Sequence, residues 1–343
     1  MGVTAAAPAA AVIAIDAGNT KTDVAVIGRD GSVLGTARGG GFRPQAIEVG
    51  PAVDALADTV AHAAAAAGLP AGAARPGARP LPHALHVSAC LANADLPVEE
   101  QRLQEAVHER GWGLTAQVAN DTFAVLRAGT DEPRGVAVVC GAGINCAGML
   151  PDGRTARFPA LGRLSGDWGG GGGLTAEALW HAARAEDGRG GPTDLARTLP
   201  GHFGLAGMSA LIEALHLGRL PAARRHELTP VLFETAAAGD TVALAIVHRQ
   251  AEEVVTMARV ALDRLGLLDE ETPLLLGGSV LASQHPPLHE KITALLAERA
   301  PKAVPRIVTA PPVLGAALLG LDRTSAAPGA HARLRAHYAS PAG

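Results

Sequence analysis

The chain has 343 residues, long for one compact domain, with 48% hydrophobic and 18% charged residues, so it reads as a folded protein of two domains and not as a disordered one. A net charge of −4 argues against a nucleic-acid partner, because backbone phosphates call for clustered Lys and Arg. The start "MGVTAAAPAAAVIAID" has no basic n-region, no uncharged run approaches membrane-spanning length, and Cys90, Cys140 and Cys146 lack the paired spacing of a zinc site; a cytoplasmic protein without membrane contact is expected.

Residues 11–15, 23–27 and 33–38 read as three strands, with Asp30-Gly31 as the hairpin turn between the second and third. Val53, Leu56, Ala57 and Val60 fall at helical spacing within residues 51–67, which stop at Gly68-Leu69-Pro70. Residues 70–82, rich in Pro, Gly and Ala, read as a surface loop. A strand at 84–88, a helix near 97–110, a strand at 115–119 and a helix from about 121 give the first half the order βββαβαβα.

The second half opens in the same way. "GVAVVC" leads into the turn "GAGIN", a short strand and the hairpin turn Asp152-Gly153. Overlaying the two glycine turns, or the two Asp-Gly turns, requires nearly the same offset, which predicts an internal duplication. A helical insertion from about 174 to 265 follows, then strands in "TPLLLGGSV" and "PRIVTA", each with a helix after it. The fold class expected is α/β, with two related lobes and a cleft between them as the binding site. The first lobe is expected over residues 11–130, the second over 135–310, and a flexible tail over 323–343.

The turn Gly18-Asn19-Thr20, with Thr22 close behind, offers backbone N–H groups and two hydroxyls to one point, a concavity suited to phosphate oxygens; Lys21 adds charge. The alternative is a plain hairpin. A second such turn at Gly141-Ala142-Gly143-Ile144-Asn145 favours the phosphate reading, and two facing turns imply a nucleoside triphosphate. Asp16, at the end of the first strand, either holds magnesium through water or accepts N–H groups of the turn.

Asn120 and Asp121 stand where a strand gives way to a helix, so either is a candidate N-cap, and Asp121 is also a candidate general base for an attacking hydroxyl. In "LGRLSGDWGGGGGLT" the glycines 169–173 are either a linker or backbone that a ligand approaches closely, with Asp167 and Trp168 suited to a polyhydroxylated molecule. Gly277 and Gly278 end a strand where an adenine ring could lie flat. The histidines form no metal pattern, and neither a Gly-x-Ser-x-Gly elbow nor a Walker-type loop occurs.

Taken in order, "AIDAGNTKTDVAV", "VANDTFAVLRAG", "VVCGAGINCAG", "GDWGGG", "LLLGGSV" and "PPVLGAALLGL" resemble the actin-like (ribonuclease H-like) sugar kinases, within them the N-acetylglucosamine kinase branch of the BadF/BadG/BcrA/BcrD ATPase family. The resemblance spans residues 12–322. It implies ATP and Mg2+ as cofactors, a sugar or amino sugar as acceptor, and a homodimer. It implies Asp121 as general base and Asp16 on the magnesium side. Gly18, Asn19, Thr20, Lys21, Thr22, Gly141, Gly143, Asn145, Gly277 and Gly278 would surround the nucleotide. Asp167, Trp168, Arg43 and Asn120 would surround the acceptor. It also returns the closing helix, 311–322, to the first lobe.

Departures from the family pattern fall on the acceptor side. Where relatives often read Gly-Asp-Glu-Gly-Ser, this chain has Gly166-Asp167-Trp168-Gly169-Gly170, and Phe42-Arg43-Pro44 stands where a sugar-binding Asn-His pair is common. Leu161 replaces an aromatic. Three other readings stay open: an ATPase that activates a dehydratase-type enzyme, a kinase for a cyclitol or other small polyol, and a non-catalytic sugar-sensing module. The Asp16-Ala17-Gly18-Asn19-Thr20 run is also similar to that of type III pantothenate kinases.

Overall fold

The computed structural model describes residues 9–69 and 82–339. They divide into two compact units. The first holds the described residues through Gly135, Met149–Arg154 and those from Val308 onward. Its elements run β1 (Ala10–Ala17), β2 (Lys21–Ile27), β3 (Val33–Gly40), a single turn α1 (Pro44–Ile47), α2 (Val49–Ala66), β4 (Ala84–Leu91), α3 (Pro97–Glu109), β5 (Gly113–Asn120) and α4 (Thr122–Ala128). The expected loop at 70–82 lies, but for Pro82, outside the described residues.

The second unit follows with β6 (Gly135–Cys140), β7 (Ile144–Met149), β8 (Thr155–Arg157), α5 (Gly170–Glu186), α6 (Leu195–His202), α7 (Met208–His216), α8 (Leu228–Ala237), α9 (Thr241–Leu265), β9 (Thr272–Gly277), the single turn α10 (Ser279–Ala282), α11 (Pro286–Arg299) and β10 (Ala303–Ile307). The chain then returns to the first unit with α12 (Pro312–Arg323) and α13 (Ala330–Ala339). The expected flexible tail is therefore corrected: α13 buries Ala330 and Leu334.

The first sheet has the order β3-β2-β1-β4-β5, with β1 antiparallel to β2 and parallel to β4. The second has the order β10-β9-β6-β7-β8, with β6 parallel to β9. A three-residue link joins β6 to β7, too short for a parallel crossover. Each unit thus repeats one plan, a central strand with a hairpin on one side and parallel strands on the other, as the matched turns predict.

β1 is buried along its whole length because helices cover both its faces. Ile13 and Ile15 pack with Val53, Leu56 and Val60 of α2 and Leu103 and Val107 of α3. Val12 and Ala14, of the opposite parity, pack with Leu314, Leu318 and Leu321 of α12. Among the described residues no single helix is long and apolar enough to cross a membrane.

Candidate active site

β1, β4 and β5 run parallel, and their carboxyl ends form a shelf in the first unit. Asp16 stands beside Cys90 in register, Cys90 beside Ala119, and Leu91 beside Asn120, so Asp16 and Asp121 leave the same end of the sheet. That end is where open parallel sheets collect ligands. Asp16 is 7% exposed. Burial pushes its carboxyl up to about 7, with Asp121 and Asp23 adding to the rise and Lys21 opposing it.

At residues 120 and 121 the side-chain capping bond comes from Asn120. The Asn120 Oδ1 accepts the N–H of Thr122 at 3.0 Å, and its Nδ2 donates to Asp95 at 2.8 Å. Asp121 makes no side-chain capping bond. Burial pushes its carboxyl up to about 6 against the pull of the Thr122 amide and its own. Burial, then Asp16, Asp121 and Glu100, push the Cys90 thiol far up, so it stays a neutral filler under the shelf.

The β1–β2 turn is tightly braced. Gly18 N–H donates to the Lys21 carbonyl at 2.9 Å, so the donors it turns outward belong to Asn19 and Thr20 at its exposed tip. Asn93 Nδ2 donates to Asn19 Oδ1 and to the Phe42 carbonyl, and Arg43 Nε donates to the Asn19 carbonyl at 3.0 Å. Two expected turn groups are spoken for. Thr22 lies on β2 and not in the turn, and its hydroxyl donates to the Gly40 carbonyl at 2.8 Å. Lys21 pairs with Asp23, which Arg38 also holds. Burial works against the Asp23 carboxyl, but these two cations keep it below the ordinary carboxylate range.

In the second unit three glycine segments far apart in sequence converge. Gly141 N–H closes the turn onto the Gly143 carbonyl at 2.9 Å. Gly171 and Gly172 donate to the carbonyls of Gly141 and Ala142, and Gly170 donates to Gln250 Oε1 at 2.9 Å. Gly278, at φ 83°, lies against the Cys140 backbone. The glycine run is therefore neither a linker nor an open loop: residues 170–173 start α5. Glycine is a poor helix former, but here the amides that a helix start leaves unpaired find carbonyls of the neighbouring turn.

Gly170 has φ 70°, and a Cβ there would sit 2.5 Å from Gly143 Cα. Gly170→Ala should lower the thermal midpoint, since backbone strain alone costs about 1–3 kcal/mol. An unchanged midpoint would mean that turn and helix start separate freely.

Asp167 accepts the Ser165 hydroxyl at 2.5 Å. Trp168 is 9% exposed, with the Arg249 guanidinium 4.2 Å over its ring, so at least one face already carries a cation. Asn145 Oδ1 accepts the neighbouring Cys146 N–H at 2.7 Å. The sequence reading missed Asn93, whose positive φ of 63° marks a built turn, and Gln250, fully buried on α9. Asn93 follows the end of β4 at Leu91, three residues beyond the end that the sequence suggests; nothing in the helical spacing around Gln250 betrays it.

A sequence profile of the BadF/BadG/BcrA/BcrD ATPase family matches residues 13–320. An N-acetyl-D-glucosamine kinase of Dictyostelium discoideum is 28% identical over 241 residues, 68% of this chain and 75% of that protein. An N-acetylmuramic acid/N-acetylglucosamine kinase of Clostridium acetobutylicum is 25% identical over 190 residues, covering 55% of this chain and 62% of that protein. A solved Chromobacterium violaceum structure, provisionally assigned as an N-acetylglucosamine kinase, superposes with a TM-score of 0.66 at 24% identity over 90% of this chain and 98% of its own. The fold is that of the actin-like sugar kinases.

Proposed function

The chain belongs to the BadF/BadG/BcrA/BcrD ATPase family, which makes it an ATP user, and from that premise we propose that it is a sugar kinase whose acceptor is an amino sugar of the N-acetylglucosamine type. The observation that carries this is Asp121, a carboxyl left uncapped at the carboxyl end of a parallel strand because Asn120 takes the capping bond. In the proposed step the Asp121 carboxylate accepts the proton of a sugar hydroxyl as its oxygen bonds the γ-phosphorus of ATP and the bond to the β-phosphate oxygen breaks, releasing ADP.

Asn19, Thr20 and Gly143 supply donors to phosphate oxygens, with Gly18, Gly141 and Asn145 shaping their turns and Lys21 adding charge nearby. Gly277 and Gly278 face the adenine. Asp167 binds acceptor hydroxyls, and Arg43, Trp168 and Asn120 complete the acceptor side. A divalent cation fits Asp16, a carboxyl raised by burial and then by Asp121 and Asp23, and opposed by Lys21, which is itself paired with Asp23. Mg2+ would be held by this carboxylate together with water and phosphate. When bound, Mg2+ neutralises charge developing on the phosphate oxygens.

An ADP-release assay over N-acetylglucosamine, glucosamine, N-acetylmuramic acid, glucose and a cyclitol panel tests the reading. Turnover with a cyclitol alone, or with no acceptor, would overturn it. The activator reading gains no support, since it calls for cysteine thiolates at a subunit interface and all three cysteines are buried. By resemblance to the family the proposal extends to a homodimer, which sedimentation of the purified protein checks.

Asp167→Ala should raise the acceptor KM and cut kcat/KM while ATP binding persists, because a site that bonds hydroxyls discriminates strongly by them. Trp168→Glu, which sets a carboxylate beside Arg249, should change the ranking of acceptors. Unchanged acceptor profiles in both variants would move the sugar site elsewhere, with Arg43 the next residue to vary.

A further inference from the structure

α4 has seven residues, about 10 Å of helix at 1.5 Å per residue. A helix so short does not hold itself together in water, so its placement depends on what grips it. Asp121 sits at its amino end. At the carboxyl end all four terminal carbonyls have donors. Val125 accepts from Gly129 N–H and Leu126 from the Thr130 hydroxyl. Arg127 and Ala128 accept from the Arg335 guanidinium of α13, at 3.2 and 2.9 Å.

The same guanidinium donates to the Thr130 carbonyl. Arg127, itself fully buried, donates to the Thr130 and Asp131 carbonyls at 2.8 and 3.1 Å. Its remaining face meets both oxygens of Asp322 on α12, at 2.8 and 3.1 Å. His331 of α13 closes the group on Asp322 at 2.9 Å. α13 and the turn before it are also held to the β2–β3 turn, by Arg333 on Asp30 and by Ala327 N–H on the Arg29 carbonyl. Two guanidiniums thus meet the negative end of the helix that carries Asp121, where cations are favoured.

We infer that Arg335, with Arg127 behind it, is a positioning residue: it grips α4 by its carboxyl end and so fixes Asp121 at the amino end. The inference rests on Asp121 being the general base. An arginine suits the task because its planar fork reaches several carbonyls at once, where a lysine ammonium supplies charge without the fork.

The test compares Arg335→Ala and Arg335→Lys with the wild type in kcat, in KM for ATP and acceptor, and in amide exchange across residues 122–128. In Arg335→Ala, kcat should fall about tenfold or more, since small misplacements of a reacting group are costly. KM for ATP should stay within about twofold, because binding is separate from the base. Exchange should quicken in 122–128 and not in β1 or β4, and Arg335→Lys should recover part of both losses.

Unchanged kcat in a folded Arg335→Ala protein overturns the inference. So does a parallel drift of kcat, every KM and exchange throughout the first unit, which is general loosening. If the alanine variant does not fold, the lysine variant carries the comparison, with a smaller kcat loss expected and wild-type kcat overturning the inference. Should Asp121→Asn retain turnover, the base assignment fails by itself, and amide exchange in 122–128 still judges the grip on α4.

Discussion

Asp121→Asn should lower kcat by at least about a hundredfold with ATP affinity nearly unchanged, since general-base catalysis is worth roughly 10²–10⁴-fold. The asparagine keeps the shape of the side chain and leaves the Asn120 cap untouched, so the helix start should survive. The pH dependence gives a second check. A base must be unprotonated to act, and burial pushes the Asp121 carboxyl up to about 6. Turnover should therefore rise with pH through that region, and the residual rate of Asp121→Asn should lose this limb. A folded variant with near-normal turnover would remove Asp121 from the mechanism.

The residues around Asp121 also show where sequence reasoning stops. The strands could be read because β1 and β6 are buried and carry long apolar runs, and the matched turns revealed the repeat that the two sheet orders repeat in space. Strand ends were harder. β4 was expected to stop at 88 but continues to Leu91, since Ala89 and Cys90 are small and pair in register with both neighbours. That shift hid Asn93, which braces the β1–β2 turn from the next loop.

Which of Asn120 and Asp121 caps α4 is a matter of side-chain direction, and two adjacent Asx residues give no local sign of it. The glycines of α5 looked like a loop because glycine disfavours helix locally, while the carbonyls that stabilise this start lie near residue 141. α13 was hidden for the same reason. Only Ala330 and Leu334 are buried along it, and its arginines find partners some 200 or 300 residues away. The pattern is consistent: what depends on apolar periodicity can be read from the chain, and what depends on a distant polar partner cannot.

Asp16→Asn should abolish magnesium-dependent turnover and, in the absence of ligand, make the protein more stable at pH 8. The sign follows from the direction of the shift. The folded-state carboxyl lies near 7 against an ordinary 3.8, with burial as the main cause. Below about pH 4 the carboxyl is protonated in both folded and unfolded chains and costs nothing extra. As pH rises from there through about 7 the unfolded chain ionises first, so the folded state loses ground across that window. The gap corresponds to at most about 4 kcal/mol, a ceiling because Asp121 and Asp23 share the same field. Asparagine removes the ionisation, so thermal midpoints of variant and wild type should agree near pH 4 and diverge toward pH 8 in favour of the variant. Mg-ATP should reverse the order, because a ligand that binds only the folded wild-type site stabilises it by mass action. Equal stabilisation of both proteins by Mg-ATP would show that Asp16 does not serve the metal. Equal midpoints at every pH without ligand would show that the buried carboxyl is not the strained group its surroundings imply.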